Sequence, residues 1–496
     1  MVQPRPARRG RATPAARPPA ALIALLAVVA IVGVAWALVT PAFQAPDENS
    51  HFGYVQTLAE RFALPGQPDR PPLSREQVVA GSLSNSDQTA QQLQARMEWS
   101  QAVYDRWRAQ AARLPHDART NGGGGNPASS NPPLYYLYES IPYRIAEGGD
   151  LFTRLTITRL ASVLWLLVTV AGVWLLAGEV FRRDRLAQLA AAGTAGLLPQ
   201  VGFVSASLNP DAALFAFWSF ALWLGVRLLR RGASIGGAVA LFAVVGAACV
   251  VKATSYALVP AAAFALAVAL WRAHGRRVTA WVPTGAAAGA GLVATLGVWF
   301  VIARLSGRAA AAQVSDATGR SAGFNLRELL SYLWQFYLPK LPFQTSFPIP
   351  GNHLPVYDIW LSTGWAAFGW LEVRFPAWVY VVFALVTIVV AGLALAGLWR
   401  ARRRVDLAVV AFLALVALIL LAGLHWTEYR MLASTQAPFN NGRYLLPLVG
   451  IAGLAVATAL RWLRPAARSL GVAGTLAALL VLNVLSLGLC LERFYA

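Results

Sequence analysis

The chain has few charged residues and almost no cysteine. Charged side chains make up 13% of its 496 residues and hydrophobic ones 57%, whereas a soluble domain has about 25% charged residues. This composition excludes a water-soluble globular protein, a disordered chain and a collagen-like chain. The two cysteines, Cys249 and Cys490, lie inside apolar runs, so the sequence does not indicate a disulfide framework.

Long apolar runs are what the sequence does contain. A helix needs about 20 apolar residues to cross a bilayer, and eleven segments approach or exceed this length. They lie at 20–40, 155–178, 187–206, 210–229, 235–251, 255–271, 279–303, 377–399, 405–424, 443–462 and 470–489. The sequence therefore predicts an all-α, polytopic membrane protein with about eleven transmembrane helices within residues 20–489.

The basic residues are distributed unevenly between these segments. The N-terminal tail and five short connections hold 21 of the 42 basic residues but only three acids. Positive charge is retained on the cytoplasmic side of a membrane, so we expect a cytoplasmic N-terminus, extracytoplasmic loops at 41–154 and 304–376, and an extracytoplasmic tail at 490–496. The net charge of +20 is then a ring of arginines facing anionic lipid headgroups of the cytoplasmic membrane, and we expect no nucleic-acid partner.

The first segment allows two interpretations. Residues 1–19 are rich in arginine and proline and are predicted to form a disordered cytoplasmic tail. Ala35-Trp36-Ala37 fits a signal-peptidase site, but the apolar run of about 20 residues exceeds the 7–15 typical of a signal peptide. We therefore expect this segment to be retained as the first span.

Both long loops contain segments that are typical of interfacial helices. Residues 74–114 carry apolar side chains at near-helical spacing, and an aromatic stretch begins at Asn131. Residues 326–341 combine aromatic side chains with Lys340. Aromatic residues suit the headgroup level of a membrane, so a simple membrane anchor is one interpretation of both segments.

The first polar cluster follows the first span. Asp47 and Glu48 are adjacent, and His51 lies four residues after Asp47. If Pro46 begins a helix, Asp47 and His51 share one helix face. The alternative is that the two acids only complement the positive N-terminal end of that helix.

Three further clusters lie at outer ends of predicted spans, where ionisable residues are functional candidates. Asn209 and Asp211 form a turn between the third and fourth spans, a pattern also typical of simple helix capping. Lys252, one of only two lysines, lies between the fifth and sixth spans. Arg443 and Tyr444 open the tenth span, where an arginine binds a phosphate or extends to the lipid headgroups.

Ordered motifs give these clusters a family resemblance. The segment at 46–52, Pro-Asp-Glu-x-x-His-Phe, resembles the Asp-Glu motif of the GT-C glycosyltransferase superfamily, notably the protein O-mannosyltransferases. The full set is similar to an uncharacterised bacterial family of predicted membrane proteins with GT-C character. Its other members are Pro-Pro-Leu-Tyr-Tyr at 132–136, Asn-Pro-Asp at 209–211, Phe-Gly-Trp at 368–370 and Gly-Arg-Tyr-Leu-Leu-Pro at 442–447. Asn131 replaces the histidine that many GT-C enzymes have before the two prolines.

The resemblance implies an inverting glycosyltransferase that uses a sugar carried on a polyprenyl phosphate or diphosphate and transfers it to an acceptor of the cell envelope at the outer face. The first-loop aspartate of such enzymes is the catalytic base, which places this role on Asp47, with Glu48 as its neighbour or its rival. Cationic groups must bind the departing phosphate, and we expect Arg443, Lys252 and Lys340 to do so. The remaining substrate-binding candidates are His51, Asn209, Asp211 and Tyr444.

Other functions and a metal ion stay open at this point. Asp47, Glu48 and His51 are candidate ligands of a divalent cation, for which oxygen donors favour Mg²⁺ or Mn²⁺. A transporter or flippase of a lipid-linked saccharide is one alternative, although transporters place their polar groups near the bilayer midplane. A polysaccharide polymerase or ligase is the other.

Overall fold

The protein is almost entirely helical. The computed structural model describes residues 19–92, 94–310, 324–349, 353–435 and 440–496. Within these ranges the β-pairing consists of one isolated bridge, between Phe368 and Val373, and the predicted all-α fold is confirmed. Residues 1–18 of the predicted disordered tail lie outside the described part.

The helices before the second long loop are given in chain order. They are α1 (Ala20–Val39), α2 (Glu48–Arg61), α3 (Arg75–Leu83), α4 (Ser86–Gln91), α5 (Gln101–Ala111), α6 (Leu134–Ile145), α7 (Leu151–Val180), α8 (Arg185–Leu197), α9 (Pro199–Ser205), α10 (Asp211–Arg231), α11 (Ile235–Cys249), α12 (Leu258–His274), α13 (Val282–Leu292) and α14 (Val298–Leu305). Short 3₁₀ segments, Ala253–Ala257 and Val278–Trp281, precede α12 and α13, and the π-helical segment Val293–Gly297 joins α13 to α14.

The remaining helices belong to the second long loop and the C-terminal spans. They are α15 (Leu326–Tyr337), α16 (Ser362–Trp365), α17 (Ala377–Ala401), α18 (Leu407–Thr435), α19 (Val449–Leu460) and α20 (Pro465–Tyr495). The π-helical segment Val356–Leu361 precedes α16, and the 3₁₀ segment Gly442–Leu448 leads into α19.

Nine helices in the described ranges are long and apolar enough to cross a membrane. Two of the eleven predicted spans, at 187–206 and 235–251, are not among these nine helices. The second of these, α11, has 15 residues, fewer than the roughly 20 that a straight span needs. The protein is thus a multi-pass membrane protein, and the count of eleven spans stays a prediction.

The predicted span at 187–206 is broken in the middle. α8 ends at Leu197, Leu198 has an extended backbone with ψ 119°, and α9 begins at Pro199. Proline lacks the N–H that would continue the helical hydrogen bonds, and it disfavours helical geometry in the residue before it. One continuous helix is therefore replaced by two.

The segments predicted to be interfacial fold as short helices. The amphipathic stretch at 74–114 forms α3, α4 and α5, and the aromatic stretch forms α6, which packs on α2 and α7. In the second loop, α15 packs against α18. The predicted tail at 490–496 is mostly helical, because α20 continues to Tyr495.

Small residues let the central helices approach closely. α7 and α10 pack along most of their lengths, and α8 packs against both α7 and α19. A Cβ atom on Gly453 of α19 would lie 2.4 Å from the Ala191 carbonyl oxygen of α8. Close backbone approach of this kind is how helices associate in lipid, where the hydrophobic effect supplies little attraction between them.

Candidate active site

Asp47 and Arg443 form an ion pair across nearly the whole chain. Arg443 Nη2 donates to Asp47 Oδ2 at 2.6 Å, and the two residues are 396 positions apart. Asp47 precedes α2 in the left-handed conformation, with φ 63°, and its side chain makes no capping hydrogen bond. Its side chain is 34% exposed, whereas that of Arg443 is 9% exposed. The carboxylate is therefore partly exposed, whereas the guanidinium that it pairs with is buried.

Glu48 faces the opposite way and is fully buried. Its Oε1 accepts from Arg159 Nε at 2.7 Å and from the Leu208 N–H at 3.1 Å. Its Oε2 pairs with Arg159 Nη2 and accepts from the Phe43 N–H at 3.0 Å. Each carboxylate oxygen therefore already has two donors.

Arg159 also holds the chain that leaves α1. Its Nη1 donates to the Thr40 carbonyl at 2.5 Å and its Nη2 to the Pro41 carbonyl at 2.8 Å. These carbonyls follow the end of a helix and have no partner within it. The pair between Glu48 and Arg159 thus fixes the turn that presents Asp47.

His51 lies near Asp47 and belongs to a network of aromatic side chains. Its Nδ1 is 2.9 Å from Tyr136 Oη, which accepts from Asn131 Nδ2 at 2.5 Å. Tyr54 stacks on Tyr136 with 3.8 Å between the ring centroids. Tyr136 is the second tyrosine of the Pro-Pro-Leu-Tyr-Tyr motif, and Asn131 replaces the expected histidine. Both therefore belong to the same site as Asp47.

A second ion pair adjoins the first. Lys252 Nζ donates to Asp211 Oδ1 at 2.6 Å, while Asp211 Oδ2 is buried and has no hydrogen-bond partner in the part of the chain described. Asn209 accepts from the Asp211 N–H at 2.9 Å and also contacts the Pro46 carbonyl, so it links this turn to the Asp47 segment.

Tyr444 connects the two pairs. Its ring centroid lies 5.1 Å from Lys252 Nζ and 5.2 Å from Arg443 Cζ, and its hydroxyl is 3.3 Å from Arg443 Nη2. Two carboxylates and two cations therefore surround one aromatic ring. Of the predicted site residues, the structure brings together Asp47, His51, Asn209, Asp211, Lys252, Arg443 and Tyr444.

The segment that carries Arg443 is fixed by backbone contacts. The Asn441 side chain accepts from the Arg443 N–H at 3.0 Å, and the Gly442 N–H donates to Thr363 Oγ1 at 2.6 Å. A Cβ on Gly442 would lie 2.2 Å from the Gly364 nitrogen. The glycine before Arg443 is thus required by the close approach of the second long loop.

Lys340 lies apart from this cluster. It is exposed, and its Nζ donates to Ser346 Oγ at 2.6 Å within the second long loop. Across the described ranges no contact joins it to the two ion pairs, so its predicted role in phosphate binding has no support in the geometry.

The three predicted metal ligands do not converge. Arg443 pairs with Asp47, and Arg159 and backbone amides occupy both oxygens of Glu48. Among the residues that the structure describes, no group of three or more His, Cys, Asp or Glu side chains is arranged to hold a metal ion. The residues therefore do not fit the predicted Mg²⁺ or Mn²⁺ site.

The local charges set the protonation of the two central groups. Burial favours the neutral carboxyl of Asp47, but the Arg443 guanidinium and the neighbouring His51 outweigh it and hold the pKa of Asp47 below its usual value. Burial lowers the pKa of His51 to about 4, against the attraction of Asp47. At neutral pH Asp47 is a carboxylate and His51 is a neutral imidazole.

Sequence reasoning missed Arg159 and the roles of Tyr136 and Asn131. Arg159 lies in the first predicted residues of an apolar span, and an arginine at that position is a signal because charges near membrane depth are paired. Its partner cannot be identified from spacing, since 111 residues separate it from Glu48.

A comparison with solved structures identifies similar folds at low sequence identity. The fold is similar to ArnT from Cupriavidus metallidurans bound to undecaprenyl phosphate, with 14% identity, a TM-score of 0.46, and coverage of 92% of this chain and 62% of that one. It is similar to the archaeal oligosaccharyltransferase AglB from Archaeoglobus fulgidus, with 12% identity, a TM-score of 0.48, and coverage of 96% and 56%.

A third similar structure is the arabinosyltransferase EmbB from Mycobacterium smegmatis, with 14% identity, a TM-score of 0.39, and coverage of 99% of this chain and 42% of that one. The chain therefore spans less than two thirds of each of these proteins. The comparison with curated proteins gives no match.

A family model covers most of the chain. The model of a family described as predicted membrane proteins, DUF2142, matches residues 30–452. This range begins within α1 and ends within α19, so it includes both ion pairs of the site. The predicted resemblance to a family of predicted membrane proteins is confirmed, and the chain belongs to the DUF2142 family.

Proposed function

We propose that the protein is an inverting glycosyltransferase that uses a polyprenyl-phosphate-linked or diphosphate-linked sugar and acts at the extracytoplasmic face of the cytoplasmic membrane. The observation that carries this proposal is the pair between Asp47 and Arg443. It places a partly exposed carboxylate beside a buried guanidinium. A base beside a phosphate-binding cation is what transfer from such a donor requires.

Arg443 has donors to spare for a phosphate. Only its Nη2 is used by Asp47, while its Nε and Nη1 are buried and have no hydrogen-bond partner within the described ranges. An unsatisfied buried donor costs about 1–3 kcal/mol, and more when charged. Phosphate oxygens would satisfy both nitrogens with charge-assisted bonds. Lys252, held by Asp211 on the other side of Tyr444, would add a second cation.

Asp47 is the better candidate for the base. Its Oδ2 accepts from Arg443, and within the described ranges no hydrogen bond is found at its Oδ1, which would accept from an acceptor hydroxyl. Both oxygens of Glu48 are occupied by Arg159 and backbone amides, so its role is to hold the Asp47 turn. His51 is a neutral imidazole that hydrogen-bonds with Tyr136, and its role is to hold the side chains next to Asp47 in place.

The reaction follows as a single displacement. The oxygen of the acceptor hydroxyl forms a bond to the anomeric carbon while the bond from that carbon to the phosphate oxygen breaks. The electron pair leaves with the polyprenyl phosphate or diphosphate, where Arg443 and Lys252 stabilise the charge. The hydroxyl proton passes to Asp47 Oδ1 and then to water. One displacement inverts the anomeric configuration. No step uses a metal ion, and addition of a chelator tests the predicted requirement.

The experiment compares Asp47→Asn with a matched control. Asp105→Asn removes an exposed carboxylate of α5 in the same loop. Membranes containing each variant receive decaprenyl-phosphate-linked mannose or arabinose labelled in the sugar, and label transferred to the envelope fraction is counted. General base catalysis contributes about 10²–10⁴-fold, so we expect Asp47→Asn to lose at least 100-fold and Asp105→Asn to match the wild type.

Retained turnover in the Asp47→Asn variant would remove Asp47 as the base. If wild-type membranes move the lipid-linked sugar across the bilayer without transferring it, the flippase alternative replaces the transferase. Transfer of preassembled chains but not of single sugars would favour the polymerase or ligase.

A further inference from the structure

A second cationic site lies at the membrane end opposite Asp47. A cavity of about 400 Å³ opens between the C-terminal ends of α7 and α10 and the N-terminal end of α8. α10 begins at Asp211 and reaches this cavity with Arg227 and Arg231. Its 21 residues span about 30 Å at 1.5 Å per residue, so a bilayer thickness separates the cavity from the proposed active site.

Arginines and tryptophans line this cavity together. Arg183 and Arg185 reach it from the connection between α7 and α8. The Arg185 guanidinium lies 5.8 Å from the ring centroid of Trp174, and that of Arg227 lies 5.5 Å from the ring centroid of Trp223. The cavity therefore has cationic groups above an aromatic wall.

The cavity carries more positive than negative charge. Its single lining acid, Glu179, is paired with Arg231 at 2.6 Å. Arg183, Arg185 and Arg227 have no carboxylate within ion-pair distance in the described part of the protein. The N-terminal end of α8 does not supply the anion site, because Asp184 already accepts from the Ala187 N–H at 3.2 Å.

We propose that this cavity binds the phosphodiester headgroup of an anionic phospholipid. Arginine suits phosphate because its planar guanidinium presents several donors at once, and basic pockets between membrane helices favour anionic headgroups. Trp174 and Trp223, with Leu22 and Leu175 of the same lining, provide apolar surface for the glycerol and the first acyl carbons. A free phosphate would bind the same arginines, but it has no apolar part that could contact this apolar surface.

The test measures lipid binding to the purified, delipidated protein by native mass spectrometry. The probes are phosphatidylglycerol and phosphatidylcholine with identical acyl chains, with and without millimolar inorganic phosphate. The cavity variant is Arg185→Gln with Arg227→Gln. The control is Arg403→Gln with Arg404→Gln, which removes the same charge from exposed arginines of the connection between α17 and α18, outside the cavity.

We expect the wild type and the control to prefer phosphatidylglycerol by at least about tenfold, since each arginine near an anionic headgroup adds to its attraction, and we expect the cavity variant to lose this preference. The proposal is overturned if the wild type shows no preference, or if the control loses as much as the cavity variant. Displacement of the lipid by inorganic phosphate would identify a free anion as the ligand and overturn the lipid assignment. If the double variant does not fold, Arg227→Gln alone, at an exposed position, gives the same comparison. Sugar transfer is a separate readout, so this result and that of the proposed function are independent.

Discussion

Asp47 has a left-handed backbone conformation, which its surroundings stabilise. Its φ of 63° lies in the left-handed region, which a residue with a Cβ adopts at some cost in free energy and which occurs often at functional sites. This conformation turns the carboxylate away from the N–H groups at the start of α2 and towards Arg443. The interpretation that Asp47 only complements a helix end is therefore not what the geometry shows.

The protonation of this site predicts a flat pH profile. Asp47 must be ionised to accept a proton, and although burial raises its pKa, Arg443 and His51 bring it below the usual value of 3.8. The pKa of His51, lowered by burial, is about 4. We therefore expect kcat/KM for sugar transfer to be independent of pH between about 5 and 7.

The variant Arg443→Gln tests the cause of this profile. Without the guanidinium, burial acts on Asp47 with less opposition, so its pKa rises and the acid limb of the residual activity moves to higher pH. An inflection near pH 6.5 in the wild type would contradict the assignment of His51 as a neutral group.

The location of Asp47 and Arg443 at one membrane face could be expected from the sequence, but their ion pair and the opposite directions of Asp47 and Glu48 could not. Both members of the pair lie at span ends that the arginine distribution places on one membrane face. The directions of two adjacent carboxylates depend instead on a single φ angle and on Arg159, whose contact with Glu48 joins elements distant in the chain. No local pattern contains that information.

At the scale of elements, Arg159 of α7 joins α1 to α2. It binds the carbonyls of Thr40 and Pro41 and the carboxylate of Glu48 in one buried position. Breaking one side of a buried ion pair leaves an uncompensated charge. The turn that carries Asp47 thus depends on this contact for its stability as well as its shape.

The adjacent acids are therefore expected to respond differently to the loss of a charge. Glu48→Gln leaves Arg159 buried without its carboxylate, and we expect a loss of about 3 kcal/mol in the free energy of unfolding. Asp47→Asn also removes the carboxylate of a buried arginine, but the Asp47 side chain is one third exposed, so solvent screens part of the loss and we expect a smaller effect of about 1–2 kcal/mol. Thermal unfolding of the two purified variants in one detergent measures the difference. Equal destabilisation, or a stable Glu48→Gln protein without activity, would return Glu48 to the list of catalytic candidates.

Helix length and breaks were predictable to different degrees. Apolar run length located each of the nine long apolar helices in the described ranges, because a bilayer imposes one dimension on each of them. The break at Leu198 follows from Pro199, which is visible in the sequence. The continuous hydrophobicity of 187–206 nevertheless predicted one unbroken helix. α11 is shorter than its apolar run because the chain turns towards Lys252 after Cys249.

At the scale of the whole molecule, charge separates the two ends of the helix bundle. Arg231 pairs with Glu179, and Arg272 pairs with Asp406 at 2.7 Å, at the end where the arginine-rich connections meet. Asp47, Asp211, Lys252 and Arg443 occupy the other end. The proposed orientation assigns the first end to the cytoplasm.

Cysteine labelling tests this orientation. Both native cysteines are buried, so the wild type provides a background without exposed thiols. We expect Asp105→Cys in α5 to react with a membrane-impermeant maleimide in intact cells, and Arg403→Cys to react only after permeabilisation, since both positions are exposed at opposite ends of the bundle. The reverse pattern would invert the topology and place the proposed active site in the cytoplasm.

The most direct test of the account is a structure determined with polyprenyl phosphate bound. We predict that the phosphate oxygens lie within hydrogen-bond distance of Arg443 Nε and Nη1, with Lys252 Nζ on the other side and Asp47 Oδ1 facing the position of the transferred sugar. A phosphate bound elsewhere on the protein, or one that leaves Arg443 without contact, would contradict the proposal that Asp47 and Arg443 form one catalytic site.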